Sequence, residues 1–292
     1  MTWLIVTPCR NESSNLPELD VSLRSQQHLP PYFWVVVDDG SDDGTGDLAR
    51  RIMKNHDGLV VERLNSGGLA RGSAYKAWQV GVEAGLAELQ PNSPTVVMKL
   101  DADVRLDADY FAQLVSCLGG EVGAFGGFMH GWRHREQRWH VPGPVKAYSW
   151  AGYCALQSLP RTVGFDVMDE VALRRAGFRV TVRAEAGFAM ARDIGASEGR
   201  LAGRRRNGMV CRYTGYDLTY FLLHMLRYSV RRPYVVGSLA MLYGYCSAPP
   251  SPYADDLRQA HRLEQRAKLS RMVRQPAAWL RATYGTRSAG PC

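Results

Sequence analysis

Two acidic clusters follow directly on apolar runs, and their side chains are the ones in this chain best placed to do chemistry. The run Phe33–Val37 is followed by Asp38 and Asp39, and the run Val96–Leu100 is followed by Asp101 and Asp103. Valine-rich runs of this length are typical of buried strands, and open parallel sheets bind ligands beyond the carboxyl ends of their strands. Carboxylates gathered in one crevice raise each other's pKa unless a cation is present. A divalent metal that carries a diphosphate would relieve this repulsion.

The elements that must position these acids alternate along the first half of the chain. We predict strands at Trp3–Thr7, Phe33–Val37, Leu59–Leu64, Val96–Leu100 and Val122–Phe128. Helices are predicted between them at Leu16–Gln27, Thr45–Asn55, Ser73–Leu89 and Ala108–Leu118. This alternation predicts an α/β fold with a doubly wound, mostly parallel sheet.

The second half is less regular. We predict a helix at Val145–Leu159, a short helix at Asp169–Ala176, a strand at Phe178–Val182, a mobile loop at Gly195–Gly208 and an amphipathic helix over residues 255–275. Two apolar stretches, Leu218–Leu226 and Tyr234–Tyr245, are shorter than the ~20 residues needed to span a bilayer. We interpret them as core helices, as helices in a membrane interface, or as a contact between two copies in a homodimer.

Charge and cysteine usage suggest where the protein works. The formal net charge is +8, and the segment from Arg227 to the end, with eleven Lys or Arg and three acidic residues, accounts for all of it. A basic tail after a neutral body indicates an anionic surface as partner, such as lipid head groups; the alternative is a solvated helix face. Six cysteines without C-x-x-C spacing indicate reduced thiols and no zinc site. The N-terminus reads as a first strand and not a signal peptide. We therefore predict a cytoplasmic protein, attached peripherally to the inner face of the membrane, with no nucleic-acid partner.

Four motifs occur in order and at regular spacing: Thr7–Glu12, Val37–Thr45, Asn65–Gly72 and Leu100–Asp103. Together they resemble the family 2 glycosyltransferases, from the N-terminus to about residue 190. The resemblance implies a GT-A fold, the fold of nucleotide-diphospho-sugar transferases. It also implies an enzyme that moves a sugar from a nucleotide-sugar, UDP-linked by expectation, to an acceptor hydroxyl that the sequence does not identify. A glycan, a lipid-linked acceptor and a small molecule all remain open.

The same resemblance divides the chain. Residues 1–212 would form the GT-A catalytic domain, with a nucleotide-sugar half at 1–105 and an acceptor half at 106–212. Residues 213–292 would form a helical, hydrophobic and basic C-terminal extension.

Donor binding is assigned by the resemblance to residues near the ends of the first strands. Either Asp38 or Asp39 would accept a hydrogen bond from the uracil N3–H. The other substrate-binding candidates are Thr7, Pro8, Arg10 and Glu12 as the pocket wall, and Gly68 and Arg71 near the phosphates or ribose. The alternative for Glu12 is a favourable interaction with the dipole at a helix N-terminus. The alternative for Arg71 is an exposed position on the surface of the third helix.

The Asp-x-Asp motif supplies the predicted metal site. Residues i and i+2 at a strand end lie on one side, and carboxylate oxygens suit Mn²⁺ or Mg²⁺, which take their remaining ligands from phosphates and water. Asp103 is the first candidate ligand, and Asp101 is placed to contact the ribose or the metal. The alternative is a solvated turn.

The acceptor hydroxyl must lose its proton, and a carboxylate is the expected general base. Residues 168–178 are similar to the segment where the family keeps its catalytic carboxylate at a helix start, which favours Asp169, with Glu170 second; the alternative is a helix cap. A base opposite the leaving group implies direct displacement with inversion. Many relatives carry a histidine shortly after this segment, but Ala184–Ala191 contains none. We therefore predict that Arg204, in the arginine run that follows, grips the diphosphate; its alternative is a solvated loop.

Three other classes fit less well. A methyltransferase would leave Asp101 and Asp103 unexplained. A nucleotidyltransferase that makes nucleotide-sugars should carry a glycine-rich basic loop directly after the first strand, where this chain has Pro8–Glu12. A non-catalytic, membrane-associated nucleotide-sugar binder would bind the donor without ever transferring it.

Overall fold

A computed structural model describes residues 2–62, 73–90, 92–130, 140–192, 199–230 and 232–278. The strands are β1 (Trp3–Cys9), β2 (Tyr32–Asp38), β3 (Gly58–Glu62), β4 (Val96–Leu100), β5 (Val104–Leu106), β6 (Val122–Met129), β7 (Val145–Ser149) and β8 (Arg179–Met190). The helices are α1 (Leu16–Arg24), α2 (Thr45–Met53), α3 (Ser73–Leu89), α4 (Tyr110–Val115), α5 (Trp150–Ala155), α6 (Phe165–Arg175), α7 (Arg200–Tyr213), α8 (Leu218–Ser229), α9 (Tyr234–Cys246) and α10 (Asp255–Arg274).

The eight strands form one sheet in the order β3-β2-β1-β4-β7-β6-β8-β5. β1 pairs in parallel with β2 and β4, β2 pairs in parallel with β3, and β6 pairs in parallel with β8. The remaining pairs, β4 with β7, β6 with β7, and β5 with β8, are antiparallel. The sheet is therefore mixed with a parallel majority, and the predicted α/β fold is confirmed.

Alternation of side chains along β1 separates the two faces of the sheet. Trp3 and Ile5 belong to the main hydrophobic core, which includes buried leucines of α1 and aromatic residues of α4. On the opposite face, α3 packs through two glycines. A Cβ at Gly81 would lie 2.4 Å from Val6, and a Cβ at Gly85 would lie 2.4 Å from Leu4. These small residues let α3 lie close on the strands whose ends carry the acids.

Three predictions for the second half were wrong. Residues 145–149 form strand β7, and only α5 of the predicted helix over 145–159 is helical. The sheet imposes this result, because β7 is an internal strand that pairs with both β4 and β6. Most of the predicted loop over 195–208 is helix α7, which begins at Arg200. The short helix predicted at Asp169–Ala176 is longer in the structure, where α6 begins at Phe165 and ends at Arg175.

Contacts divide the chain into two compact units. The first contains residues 1–161 and 176–191, and the second contains residues 162–175 and 192–290. This division by contacts differs from the predicted domains 1–212 and 213–292. The assignment of a catalytic domain and a C-terminal extension therefore stays a prediction. The sheet belongs to the first unit, whereas α6 groups with the C-terminal helices.

Helices α7 and α9 of the second unit meet at backbone distance. A Cβ at Gly208 would lie 1.8 Å from the carbonyl oxygen of Met241, and one at Gly244 would lie 1.9 Å from that of Arg205. Only glycine allows backbones to approach so closely. Within the part of the chain that the structure describes, no helix is long and apolar enough to cross a bilayer.

Candidate active site

The carboxyl ends of β1 and β2 lie side by side. Cys9 pairs with Asp38 in the parallel ladder, and the amide of Asp39 donates a hydrogen bond to the Cys9 carbonyl at 2.9 Å. Asp38 and Asp39 are both buried, with 8% and 4% of their surfaces exposed. The ladder therefore carries both acids beyond the strand end and holds them against β1.

Reciprocal hydrogen bonds fasten the loop after β1 to the loop after β2. The amide of Asn11 donates to Ser41 Oγ at 3.0 Å, and Asn11 Oδ1 accepts from the amide of Asp42 at 3.0 Å. The amide of Glu12 donates to Thr45 Oγ1 at 2.9 Å. Asn11 has a φ of 56°, a left-handed conformation that asparagine tolerates better than most residues. The two loops therefore form a single preorganised wall.

Asp43 is a second anchor between these loops. It accepts hydrogen bonds from the amide of Ser13 at 3.0 Å and from the amide and hydroxyl of Thr45. Burial raises the pKa of Asp43, but the hydrogen bonds from Thr45 and Ser13 outweigh it and lower the pKa to about 2. The carboxylate therefore stays ionised at physiological pH and keeps the wall closed.

Asp38 is fixed within the same wall. Its Oδ1 accepts from the Ser41 amide at 3.0 Å and from the Ser41 hydroxyl at 2.5 Å. Its Oδ2 faces the backbone of Gly46, where a Cβ would lie only 2.5 Å away. Asp38 is thus enclosed on both sides by the loop that it stabilises.

The charges of four carboxylates act on the thiol of Cys9. The pKa of Cys9 is raised well above its usual value, first by burial and then by the charges of Glu12, Asp38, Asp101 and Asp103. Acids from three separate segments of sequence therefore share one electrostatic neighbourhood. The predicted meeting of the two acidic clusters at one edge of the sheet agrees with this arrangement.

Lys99 partly compensates this negative charge. The side chain is buried at the end of β4, and its Nζ donates to Asp101 Oδ1 and to the carbonyl of Gly143, the latter at 3.1 Å. The pKa of Asp101 is nevertheless raised, because burial outweighs the contact with Lys99, and Asp103 and Glu12 add their repulsion. One lysine therefore does not neutralise the cluster.

The donor set matches a hard divalent cation that is shared with a ligand. Among residues 2–62, 73–90, 92–130, 140–192, 199–230 and 232–278, no group of three or more His, Cys, Asp or Glu side chains is arranged to hold a metal by itself. Mn²⁺ and Mg²⁺ bound with phosphates need only one or two carboxylates from the protein. Asp103, 8% exposed and close enough to raise the pKa of Asp101, fits that role.

The remaining candidates at the end of β1 differ in their surroundings. Thr7 is fully buried, and its hydroxyl accepts a hydrogen bond from Trp34 Nε1 at 2.9 Å, so it lies inside the sheet. Pro8 pairs with Val37 and is partly exposed. Nη1 of Arg10 is buried and has no hydrogen-bond partner among the described residues, so this guanidinium has a donor to offer.

Two candidates, Gly68 and Arg71, lie outside the described residues. Arg204 lies on α7 in the second unit, and not in a loop. Its guanidinium carbon is 3.9 Å from the ring centroid of Tyr228, and its Nη2 donates to the Arg232 carbonyl at 3.4 Å. These contacts give Arg204 a structural role within the helices, and its grip on a diphosphate stays a prediction.

Asp169 and Glu170 lie in the middle of α6, so neither caps the helix. Asp169 is fully buried, and its Oδ1 accepts a hydrogen bond from the amide of Glu170 at 2.6 Å. Glu170 Oε2 accepts from Arg174 Nη1 at 3.4 Å, and Arg174 also forms a two-pronged bridge to Glu264 of α10, with both distances 2.9 Å. Glu170 is therefore part of a structural ion network, which favours Asp169 as the residue that does chemistry.

Sequence reasoning missed several residues that shape this site. Lys99 interrupts an apolar run, and a single lysine within a buried strand is a signal that a carboxylate lies nearby. The Val37–Thr45 motif predicts no individual role for Ser41 and Asp43, and it predicts for Thr45 only a cap on the second helix, whereas the cap of α2 is Gly44. The bonds of Ser41, Asp43 and Thr45 to residues 11–13 join segments about 30 positions apart, and no local pattern reports such a contact.

An open α/β sheet binds its ligands in the crevice beyond the carboxyl ends of its strands, which is where this chain gathers its carboxylates. A sequence model of the family described as glycosyl transferase family 2 matches residues 4–181. The chain belongs to this family, and it is a glycosyltransferase. No curated protein matches the sequence significantly.

Solved glycosyltransferases share the fold at low sequence identity. A mannosyltransferase, PcManGT from Pyrobaculum calidifontis, in complex with GDP-Man and Mn²⁺, has a TM-score of 0.57 at 19% identity and covers 94% of this chain and 81% of its own. TarS residues 1–349 from S. aureus has a TM-score of 0.52 at 13% identity, with coverages of 94% and 92%. Glucosyl-3-phosphoglycerate synthase from Mycobacterium tuberculosis, with Mg²⁺ and UDP, has a TM-score of 0.50 at 19% identity, with coverages of 72% and 78%.

Proposed function

We propose that the protein is an inverting, metal-dependent glycosyltransferase that takes its sugar from a UDP-linked donor. The observation that carries this proposal is the position of Asp38 and Asp101 at the carboxyl ends of β2 and β4, the two strands that flank β1, where the charges of Glu12, Asp38, Asp101 and Asp103 all raise the pKa of Cys9. So much negative charge around one buried position disfavours binding of an anionic diphosphate unless a cation accompanies it.

Asp103 is the protein ligand that we assign to this cation. One oxygen of Asp101 is engaged by Lys99, whereas Asp103 immediately precedes β5, three residues beyond the end of β4. When bound, Mn²⁺ or Mg²⁺ would neutralise the charge that develops on the diphosphate leaving group. Lys99 would hold Asp101 in place through its hydrogen bond. Arg10 would donate a hydrogen bond within the site from Nη1, which has no partner among the described residues.

Asp39 is our candidate for reading the uracil base. Both oxygens of Asp38 are enclosed by Ser41 and Gly46, so that acid holds the loop in shape. Asp39 follows it, anchored through its amide to the Cys9 carbonyl. A carboxylate accepts the N3–H of uracil, and this contact would discriminate against cytosine, whose N3 carries no proton.

The position of Gly46 gives a specific test of this wall. Gly46→Ala should displace the Asp38 carboxylate and weaken donor binding about tenfold, the effect of losing roughly one good hydrogen bond. The free energy of unfolding should change by no more than about 1 kcal/mol, because alanine favours the helical conformation. Calorimetric titration with UDP and thermal denaturation measure the two quantities.

Asp38→Asn provides the comparison for that variant. If Gly46→Ala acts by moving Asp38, the double variant should bind UDP about as weakly as the weaker single variant. If the losses of UDP-binding free energy in the two single variants add up in the double variant, Gly46 acts through another group.

Asp169 is our candidate general base. It would take the proton of the acceptor hydroxyl while that oxygen attacks the anomeric carbon and the bond to the diphosphate breaks. One displacement inverts the configuration at that carbon. Support for this assignment comes from its burial beside the ion network of Glu170 and from the sequence resemblance of this segment.

The solved neighbours support a nucleoside-diphosphate donor together with a divalent metal. The mannosyltransferase is in complex with GDP-Man and Mn²⁺, and the synthase is in complex with Mg²⁺ and UDP. Our choice of UDP depends on Asp38 and Asp39, and a guanosine donor is the competing outcome.

Thermal denaturation with a panel of nucleotide-sugars tests donor and metal together. Because a ligand that binds only the folded state raises the Tm, UDP-sugars should raise it in the presence of Mn²⁺ and much less after EDTA treatment. GDP-, CMP- and ADP-linked sugars serve as controls. A shift of equal size without metal would contradict the metal assignment, and a shift with GDP-sugars alone would contradict the choice of UDP.

Product analysis then separates an enzyme from a mere binder. The proposal predicts UDP release in the presence of an acceptor, and a product whose anomeric configuration is opposite to that of the donor. Stable donor binding without release in any acceptor fraction would favour the non-catalytic alternative.

A further inference from the structure

Three of the four buried residues of helix α9 are small, and most of its large apolar residues face outward. Four residues of this helix are buried, namely Gly237, Ser238, Met241 and Gly244. Two of its outward residues, Val235 and Leu239, are 59% and 57% exposed. Small residues at helix contacts with large apolar side chains facing outward are characteristic of helices surrounded by lipid.

Helix α8 carries a second apolar stripe. Leu218, Leu222, Leu226 and Val230 recur every four residues, and their exposed fractions lie between 54% and 74%. The opposite side of this helix is anchored, because Phe221 stacks on Tyr245 of α9 with ring centroids 4.2 Å apart. The stripe is therefore held outward by a well-packed interior.

The two stripes lie on helices that pack together, and the Ser238 hydroxyl donates to the Met225 carbonyl at 2.9 Å. We call them the α8–α9 apolar surface. Its members are Leu218, Leu222, Leu223, Leu226, Val230, Tyr234, Val235, Val236, Leu239, Leu242 and Tyr243. Monomeric soluble proteins rarely expose so many large apolar side chains together, and patches of this kind mark an interaction site.

Charge around this surface is strongly positive. Residues 199–246 contain eight arginines and one acidic residue, Asp217, which is paired with Arg266 at 2.7 Å. Arg205 lies over the ring of Tyr243, with 4.7 Å between the guanidinium carbon and the ring centroid. Arginine and tyrosine beside an apolar stripe match the boundary between acyl chains and head groups.

This charge distinguishes between two occupants. In a two-fold dimer the same patch meets itself, so arginines of one copy would approach arginines of the other. Like charges brought together across an interface disfavour association. A layer of anionic lipid would instead complement both the arginines and the apolar side chains.

We propose that the α8–α9 apolar surface docks the enzyme on an anionic lipid bilayer. The two helices, of 12 and 13 residues, lie in the plane of the interface, with leucine and valine side chains among the acyl chains and arginines at the phosphates. This inference concerns where the enzyme is held and does not depend on the identity of its donor.

Flotation of the full chain with vesicles tests the proposal. The protein should bind vesicles of phosphatidylglycerol and phosphatidylcholine, and bind vesicles of phosphatidylcholine alone much more weakly. Leu226→Glu and Val236→Glu, at positions 67% and 58% exposed, should each lower the partition coefficient about tenfold or more. Val21→Glu on α1 is the matched control at 59% exposure and should leave binding unchanged.

The electrostatic part has its own test. Arg205→Gln and Arg232→Gln should each weaken binding to the anionic vesicles about fivefold and reduce its dependence on salt. Binding of UDP and Mn²⁺ should be unaffected in all of these variants, which separates this inference from the proposed activity. Thermal denaturation of each variant confirms that it is folded.

Two results would overturn the proposal. One is equal binding of the wild-type chain and Leu226→Glu to anionic vesicles. The other is a stable wild-type dimer by light scattering that Leu226→Glu converts to a monomer, together with no vesicle binding. That second result would assign the surface to another copy of this chain.

Discussion

An Asp103→Ala enzyme is expected to lose about a thousandfold in turnover and to bind UDP equally weakly with and without Mn²⁺. The reason is electrostatic. A cation on the diphosphate is worth several kcal/mol of leaving-group stabilisation, and each 1.36 kcal/mol is a factor of ten in rate. Without the Asp103 carboxylate the cation loses the protein ligand that we assign to it. The fold should survive, because removal of one acid also relieves the repulsion felt by Asp101.

Calorimetric titration of UDP with and without Mn²⁺, together with the rate of UDP release, measures this effect. Asp47→Ala is the matched control, because Asp47 is also a carboxylate near the second loop but is 70% exposed and paired with Arg50. It should behave like the wild type. Metal-dependent UDP binding that persists in Asp103→Ala would show that the ligand is another residue.

The second large effect is expected for Asp169→Asn. This isosteric change preserves the hydrogen bond that the side-chain oxygen accepts from the Glu170 amide but removes the basic group. Donor and metal binding should therefore stay within about twofold of the wild type, while transfer falls by about a hundredfold to ten-thousandfold, the usual contribution of a general base.

The measurement compares UDP affinity and transfer rate in the same preparation, using an acceptor fraction that supports turnover by the wild type. Asp256→Asn is the control, since Asp256 is an exposed carboxylate that contacts α6 through Arg175 at 2.7 Å. Glu170→Gln should lower stability through the Arg174 network more than it lowers the rate per folded molecule. Normal transfer by Asp169→Asn would place the base elsewhere.

Much of the first unit was predictable because its strands are continuous apolar runs. β1, β2 and β4 are almost entirely buried, so apolar residues dominate them, and their predicted positions agree with the structure to within two residues. Helix α3 was predicted with its observed bounds, Ser73–Leu89. Its glycines lie where the helix approaches Val6 and Leu4.

The errors arose where tertiary contacts decide local structure. Residues 145–149 have no strong strand pattern, and they become a strand because β4 and β6 offer edges on both sides. The sequence of helix α7 is rich in glycine and arginine, which is typical of a loop. Gly208 is nevertheless required there, because the Met241 carbonyl occupies the space that a side chain would need.

The acidic residues of the candidate site were predictable from the sequence, but the hydrogen bonds that hold them were not. Asp38 and Asp103 could be placed because strand direction fixes where strand ends meet. The hydrogen bonds that hold Asp38 and Asp101, from Ser41 and from Lys99, depend on side-chain geometry that no spacing reveals. Burial of Asp169 was equally hidden, since it depends on the packing of the second unit.

The most direct test of this account is the position of Mn²⁺ in crystals grown with Mn²⁺ and UDP. Anomalous diffraction at the manganese edge should show the ion bound by the carboxylate of Asp103, in the same crevice as UDP. The account would be contradicted by an ion bound away from Asp103, or by UDP bound in this crevice with its phosphates held by side chains alone.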